Sequence, residues 1–314
     1  MGLRDIIEEF HAPKPEPEPE VEEPPYRIDE ELWRYLNRLG DSKDPSRRPG
    51  YHPSQMYDFC VRKEVLAHYF KKPEADYIPP DLHLIFDWGT AWHWMAQNHH
   101  FGPMGVLWGE WVCNLCAEKV EGFMPDPHVA CYPEFSKEGR IGKILAAEDA
   151  PVKRGGFWTY QEPSLYDEEW DIPGHADGIL KLSGKPGGDA TLLEIKTING
   201  RGFKTLSAPQ EKYVFQINIY LWLLNLKRAW LVYYTKDAKQ EKPKVFRVSY
   251  DPDVIEEVKR RIKLHRRAWP EKRLVRGICR SRIDPHAKYC QWVNECFSDG
   301  IEETVEQLKD AQDE

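Results

Sequence analysis

Apolar residues return at helical spacing over residues 29–39 (DEELWRYLNRL), 54–70 (SQMYDFCVRKEVLAHYF) and 84–100 (LIFDWGTAWHWMAQNHH). The pattern predicts three helices, the second opened by Ser54 as N-cap. Between 101 and 156 the periodicity fades into turn residues and cysteines, so this stretch reads as an insertion. From 157 the runs shorten to FWTY, IPGHADGILKL, a glycine-rich turn SGKPGGD, and TLLEIKTI, which together predict a meander. PQEKYVFQINIYLWLLNL (209–226) returns to helical spacing, and AWLVYYT and KVFRVSY follow as two strands. A basic helix over 252–269 and a cysteine-bearing segment end the fold. No internal repeat is visible. The order helix, three strands, helix, strand predicts an α/β fold around a mixed central sheet.

Residues 12–25, APKPEPEPEVEEPP, alternate proline with glutamate and lack apolar surface to offset ordering entropy, which predicts a disordered linker. The ten residues before it read either as a docking peptide or as a frayed end. Hydrophobic residues make up 41% of the 314, enough for a sizeable core, and no apolar run reaches the roughly 20 residues that cross a bilayer. The absence of a leader pattern at MGLRDIIEEF points to a cytoplasmic protein without membrane contact.

The formal charge of −8 at first argues against an anionic partner. Its distribution reverses that inference. Residues 1–31 carry 3 basic against 11 acidic side chains, and residues 297–314 carry 1 against 7. The remainder is net +6, and residues 196–290 alone hold 23 Lys and Arg against 9 Asp and Glu. Lys259, Arg260, Arg261, Lys263, Arg266, Arg267, Lys272, Arg273 and Arg276 concentrate this charge beside Trp269, while Arg201 and Lys204 follow the strand 191–198. Backbone contact with DNA, with Tyr and Trp rings stacking on unpaired bases, is the expected use. A protein partner is the expected use of the acidic tails.

Chemistry enters with Asp177 near the end of one predicted strand and Glu194-Ile195-Lys196 on the next. Glu194 and Lys196 are two apart and share one strand face, and pairing places Asp177 beside Glu194. Glu-x-Lys alternation on an exposed strand commonly serves solubility. Here Leu192, Leu193, Ile195 and Ile198 surround the pair, so the charges lie in a largely buried strand, where few are expected unless they bind something. Hard carboxylate oxygens bind Mg²⁺ or Mn²⁺, which serves phosphodiester hydrolysis by activating water and neutralising charge growing on the phosphate.

On these residues the chain resembles the PD-(D/E)XK nuclease superfamily and its RecB-like branch. That branch adds G-x-x-x-H before the strands, present as Gly89 and His93, and Q-x-x-x-Y on the following helix, present as Gln216 and Tyr220. The resemblance covers roughly residues 50 to 300. It implies a restriction-endonuclease-like core with His93, Asp177, Glu194 and the carbonyl of Ile195 as metal ligands. Lys196 would be the catalytic lysine, and Gln216 and Tyr220 would line the substrate groove.

Seven cysteines in an apparently intracellular chain read as metal ligands rather than disulfides. Cys60, Cys279, Cys290 and Cys296 resemble the one early and three late ligands of RecB-like exonucleases with a 4Fe–4S cluster, such as the CRISPR-associated exonuclease of the fourth Cas family and the AddB nuclease domain. Zinc at the same thiolates, or no metal at all, are the alternatives. Cys113-x-x-Cys116 with His128-x-x-Cys131 has knuckle-like spacing suited to tetrahedral Zn²⁺ in the expected insertion.

The expected organisation is an acidic tail (1–31), a helical part (32–100), a cysteine-bearing insertion (101–156), the nuclease core (157–270), an iron–sulfur segment (271–300) and an acidic tail (301–314). The expected function is a metal-dependent exonuclease on single-stranded DNA or DNA ends. A non-catalytic DNA-binding adaptor using the metal centres as scaffold is the alternative. Oligomeric state is left open.

Overall fold

The computed structural model describes residues 34–35, 50–70, 80–136, 156–182, 190–237, 241–288 and 290–313. The acidic N-terminal tail, the proline-glutamate linker, most of the helix expected over 29–39 and the whole SGKPGGD turn lie outside these residues. The remainder forms a mixed α/β fold with a central mixed sheet and helices on both faces.

Five strands form the continuous part of that sheet beyond its first edge: β1 (Leu107–Cys113), β6 (Gly178–Lys181), β7 (Ala190–Ile198), β8 (Arg228–Thr235) and β9 (Lys244–Ser249), with β2 (Lys119–Phe123) outside β1. β3 (Trp158–Gln161) pairs with the second half of β1, from Glu110↔Gln161 to Cys113↔Trp158, and β6 meets the first half at Leu107↔Leu180. Neighbouring strands run antiparallel except β7 and β8, which are parallel in the register Glu194↔Leu231. A parallel pair needs a crossover, supplied here by α4 (Gly200–Thr205) and α5 (Glu211–Leu223).

β7 carries a continuous buried run, as a central strand covered on both faces does. Leu193 and Ile195 enter one core with Val232, Tyr234, Trp111 and Ala96. Leu192 enters the other with Leu231, Tyr233, Phe203, Ile217 and Tyr220. The even-numbered face of β7, which bears Glu194 and Lys196, therefore looks toward α5.

Four expectations need correction. Residues 107–123 are no insertion: they supply two strands of the main sheet, and Leu107 and Trp111 are fully buried in its core. Periodicity missed them because Gly109 and Gly122, both at positive φ, interrupt apolar alternation and LWGEWVC buries only Leu107, Trp111 and Cys113. The run IPGHADGILKL is not one strand. β5 (Ile172–His175) pairs with β4 (Ser164–Asp167) in a separate two-stranded sheet, and β6 starts only at Gly178. The expected tail after residue 300 begins with the helix Ile301–Asp313, whose Ile301 and Val305 are buried against Val65, Leu66 and Trp292.

The helix expected over 54–70 is also broken. α1 (Pro53–Met56) starts with proline at its first position and Ser54 exposed, and α2 (Val61–Phe70) starts anew after Cys60. The carbonyls released by the break, those of Met56, Tyr57 and Phe59, accept from Nη1 of Arg261 at 2.9, 2.9 and 3.4 Å. Arg261 belongs to α6 (Pro252–Ala268), which Asp251 caps by accepting from the Asp253 N–H. Ile255, Val258 and Ile262 of α6 pack with Met56, Trp170 and Ile219.

Candidate active site

The first long helix, α3 (Pro80–Met95), continues into a π-helical turn, Ala96–Phe101. Near its end His93 places Nδ1 3.2 Å from Oδ1 of Asp177. Of His93, His99 and His100, the first makes this contact; His99 stacks edge-on against Trp94, and His100 lies 3.4 Å from the Tyr234 hydroxyl.

Asp177 precedes β6, where the chain leaves strand pairing after Gly178↔Leu193. Its Oδ2 accepts the Ile195 N–H at 2.6 Å, so the carboxylate replaces the backbone partner that β6 no longer offers. Two residues along β7 on the face toward α5, Lys196 Nζ contacts Oε1 of Glu194 at 2.6 Å. Oε2 of Glu194, a residue only 1% exposed, is buried with no hydrogen-bond partner among the described residues. A buried carboxylate oxygen left this way costs stability unless a cation or donor meets it.

Electrostatics sort the four groups. Burial pushes Asp177 up, but the neighbouring His93 imidazole, Lys196 and the Ile195 N–H outweigh it and hold the carboxyl below its ordinary range. Burial, reinforced by the Asp177 charge, holds Glu194 above the usual carboxylate range despite Lys196. Burial alone would lower Lys196 and His93; the carboxylates of Glu194 and Asp177 raise the first, and Asp177 raises the second. Without a cation the site therefore holds a charged lysine and one carboxylate that resists ionisation.

Glu162, at the turn between β3 and β4, was not singled out from the sequence. It forms a group with His93 and Asp177 whose ligand atoms lie within 4.8 Å of one another. Gln97, one helical turn after His93 and buried, fixes it by donating Nε2 to Glu162 Oε1 and to the Asp177 carbonyl, both at 2.8 Å. The available signal was this Gln at i+4 from the motif histidine on an otherwise apolar stretch.

Gln216 and Tyr220, expected to line a groove, are 6% and 5% exposed, and Gln216 Nε2 donates to the Tyr220 hydroxyl at 3.2 Å. Tyr220 lies near enough to Glu194 for that charge, after burial, to raise its pKa. Its ring packs on Gly174 of β5, where a Cβ would come within 2.8 Å of Cε1. The structure makes them part of the interior beside the carboxylates.

No family model matches the chain, and no curated protein matches it. Among solved structures, SSO0001 is similar at 14% identity over 76% of this chain and 87% of its own, with a TM-score of 0.37. An alkaline exonuclease from Laribacter hongkongensis is similar at 13% identity over 77% and 92%, with a TM-score of 0.35. A phage-related exonuclease from Haemophilus somnus is similar at 11% over 74% and 96%, with a TM-score of 0.27. At these identities and scores the likenesses transfer neither activity nor site residues to this chain.

Two cysteine groups lie apart from this site. Cys60, Cys279, Cys290 and Cys296 wall one cavity of about 240 Å³, shared with apolar Leu66 and Trp292. Arg62 ties its two sides together by donating to the carbonyls of Val275 and Cys296 and pairing with Glu302. A single ion at the usual zinc–sulfur distance of about 2.3 Å would draw its sulfurs to within roughly 4.6 Å of one another. In the second group, the ligand atoms of Cys113, Cys116, His128 and Cys131 all lie within 4.8 Å of one another.

The basic run is only partly available to a ligand. Arg261 is occupied by the α1–α2 break and Glu257, Arg260 pairs with Glu257, and Arg266 donates to the Glu169 carbonyl. Lys259 and Lys263 lie over the Trp170 ring, and Lys272 lies over Trp269. By contrast, Arg201 and Lys204 on α4 are exposed directly after β7. On α3, Phe86 and Trp88 are also exposed, and Phe86 shares the face of His93, two turns away. No described helix is long and apolar enough to cross a membrane.

Proposed function

We propose that the protein is a metal-dependent deoxyribonuclease of the RecB-like PD-(D/E)XK type, acting on single-stranded DNA or DNA ends. The observation that carries this reading is the buried convergence of His93, Asp177, Glu194 and Lys196, with Oε2 of Glu194 unpartnered. The donor set fits a hard divalent cation, Mg²⁺ or Mn²⁺: imidazole nitrogen and carboxylate oxygens from His93, Asp177 and Glu162, with Glu194 and the Ile195 carbonyl as the further ligands that the resemblance implies. When bound, such a cation supplies charge neutralisation at the phosphate and acidifies water.

The remaining work falls to side chains. Glu194 holds Lys196 in its charged form, and the ammonium orients the attacking water and offsets negative charge as the phosphorus–oxygen bond to the leaving sugar breaks. Gln97 keeps Glu162 and Asp177 in mutual register. Arg201 and Lys204 meet backbone phosphates, and Phe86 and Trp88 offer faces for unpaired bases. A scaffold protein would have no use for buried charges at such cost.

Cys60, Cys279, Cys290 and Cys296 hold a structural 4Fe–4S cluster in this reading, fastening α2 to the C-terminal segment. That all four cysteines wall one cavity of about 240 Å³ supports it. Anaerobic protein should then absorb near roughly 400 nm and lose that absorbance in Cys60→Ser; a colourless anaerobic preparation refutes the cluster.

The nuclease test is Mn²⁺-dependent degradation of end-labelled single-stranded DNA by the wild type and by Lys196→Ala. Degradation by the wild type alone is expected. Equal activity in both, or none in either after anaerobic purification, refutes the reading.

A further inference from the structure

The turn after β1 brings a second set of soft ligands to one point. Cys113 ends β1, its N–H donating to the Glu118 carbonyl and its carbonyl accepting from Ala117, so residues 113–118 close on themselves. Ala117 takes a left-handed φ of 59°, which an L-residue with a side chain seldom adopts without constraint from its surroundings. Across from this turn, the Cys131 and Tyr132 N–H groups both donate to the His128 carbonyl, and the loop is held to β3 by Trp158 Nε1 donating to the Asp126 carbonyl.

The imidazole of His128 decides what the group is for. Its Nε2 is 3.1 Å from Oε2 of Glu118, and its Nδ1 is 3.4 Å from both Cys116 Sγ and Cys131 Sγ. With the proton on Nε2 held by the carboxylate, Nδ1 presents its lone pair between the sulfurs. One lone pair cannot accept good hydrogen bonds from two thiols at once. It can bind one cation that the sulfurs also bind. Tetrahedral zinc, with bonds of about 2.3 Å to sulfur and about 2.0 Å to nitrogen, places sulfur and nitrogen ligands roughly 3.5 Å apart, close to the observed 3.4 Å. A carboxylate on the far ring nitrogen is the usual support of a zinc-bound histidine.

We infer that Cys113, Cys116, Nδ1 of His128 and Cys131 hold one zinc ion, with Glu118 as the carboxylate that orients the imidazole. Four protein ligands leave no open position, so the site is structural rather than catalytic. It fastens the loop carrying His128 to the end of β1 and the start of β3. The inference is independent of the nuclease reading, because its readout is metal content.

The test is zinc per chain in the full-length protein, measured by mass spectrometry after gel filtration in chelator-free buffer, with competition against a chromogenic chelator. About one zinc per chain is expected in the wild type, lost in Cys116→Ser. Glu118→Gln changes an exposed side chain that binds no metal, so it should fold and retain zinc with roughly 10- to 100-fold weaker affinity. Wild-type protein that stays near zero after zinc addition, or Cys116→Ser with undiminished zinc, overturns the site. Iron in place of zinc, lost with Cys116→Ser in a Cys60→Ser background, overturns the choice of metal. Glu118→Gln with wild-type affinity overturns the role of Glu118.

Discussion

Arg261 separates two uses of a basic helix, since sequence alone assigns it to DNA phosphate and the structure assigns it to the break between α1 and α2. Replacing it with methionine keeps an apolar stem against Phe215, 5.4 Å from the guanidinium carbon, and removes the donors. The Met56 and Tyr57 carbonyls, each at 2.9 Å, lose a charged donor. Hydrogen bonds to charged groups contribute about 1.5–3 kcal/mol each. Glu257 keeps Arg260 at 2.6 and 2.8 Å and is not orphaned. The carbonyls are partly buried, and water recovers some of the loss, so the lower end applies and the expected cost is about 3 kcal/mol. At about 2–4 °C per kcal/mol for a chain of a few hundred residues, thermal unfolding by circular dichroism should shift down by roughly 6–12 °C. Arg267→Ala, at an exposed position of the same helix, should stay within about 0.5 kcal/mol of the wild type. A shift below about 2 °C for Arg261→Met, together with a drop of about one in the salt dependence of DNA binding, would show that the arginine contacts phosphate instead.

Glu162→Gln should raise the Mn²⁺ concentration for half-maximal nuclease activity by roughly tenfold, a ligand loss worth about 1.4 kcal/mol, while leaving the melting temperature near that of the wild type; metal titrations of activity check this. Phe86→Ala removes a half-exposed ring on the face of His93 and should weaken single-stranded DNA binding by about 1–3 kcal/mol in a fluorescence anisotropy titration, without loss of stability. Mn²⁺ at about 100 times its dissociation constant should stabilise the wild type by about 2.7 kcal/mol in thermal melts, and Glu194→Gln should lose most of that gain.

The buried charged pair of β7 was legible because it depends on local pattern: Glu194 and Lys196 are two apart in an apolar run, and β7 shows that run as a buried central strand. The mixed sheet was legible in outline for the same reason. Strand membership of 107–123 was not, because LWGEWVC buries only Leu107, Trp111 and Cys113 and KVEGF only Gly122, too few apolar positions to show an alternation, and the pairing of β1 with β3 and β6 is a long-range contact without local signature. The break at residues 57–60 was hidden likewise. Helical spacing continues through it, and the side chain that meets its carbonyls lies about 200 residues away. Glu162 joins the site through Gln97 and a turn, where no periodicity operates.

These features meet in one constraint on β7. A strand covered on both faces must bury whatever occupies each position, so Leu192, Leu193 and Ile195 cannot enter their two cores without carrying Glu194 and Lys196 inward with them. Each buried charge then needs a partner. Lys196 satisfies one oxygen of Glu194, the Ile195 N–H satisfies one of Asp177, and His93 meets the other. One oxygen of Glu194 is left over. Filling it with another fixed donor would have stabilised the chain alone. Leaving it open fits the proposed cation: an ion bound there would stabilise the central strand near the point where β6 and β7 cease to pair after Gly178.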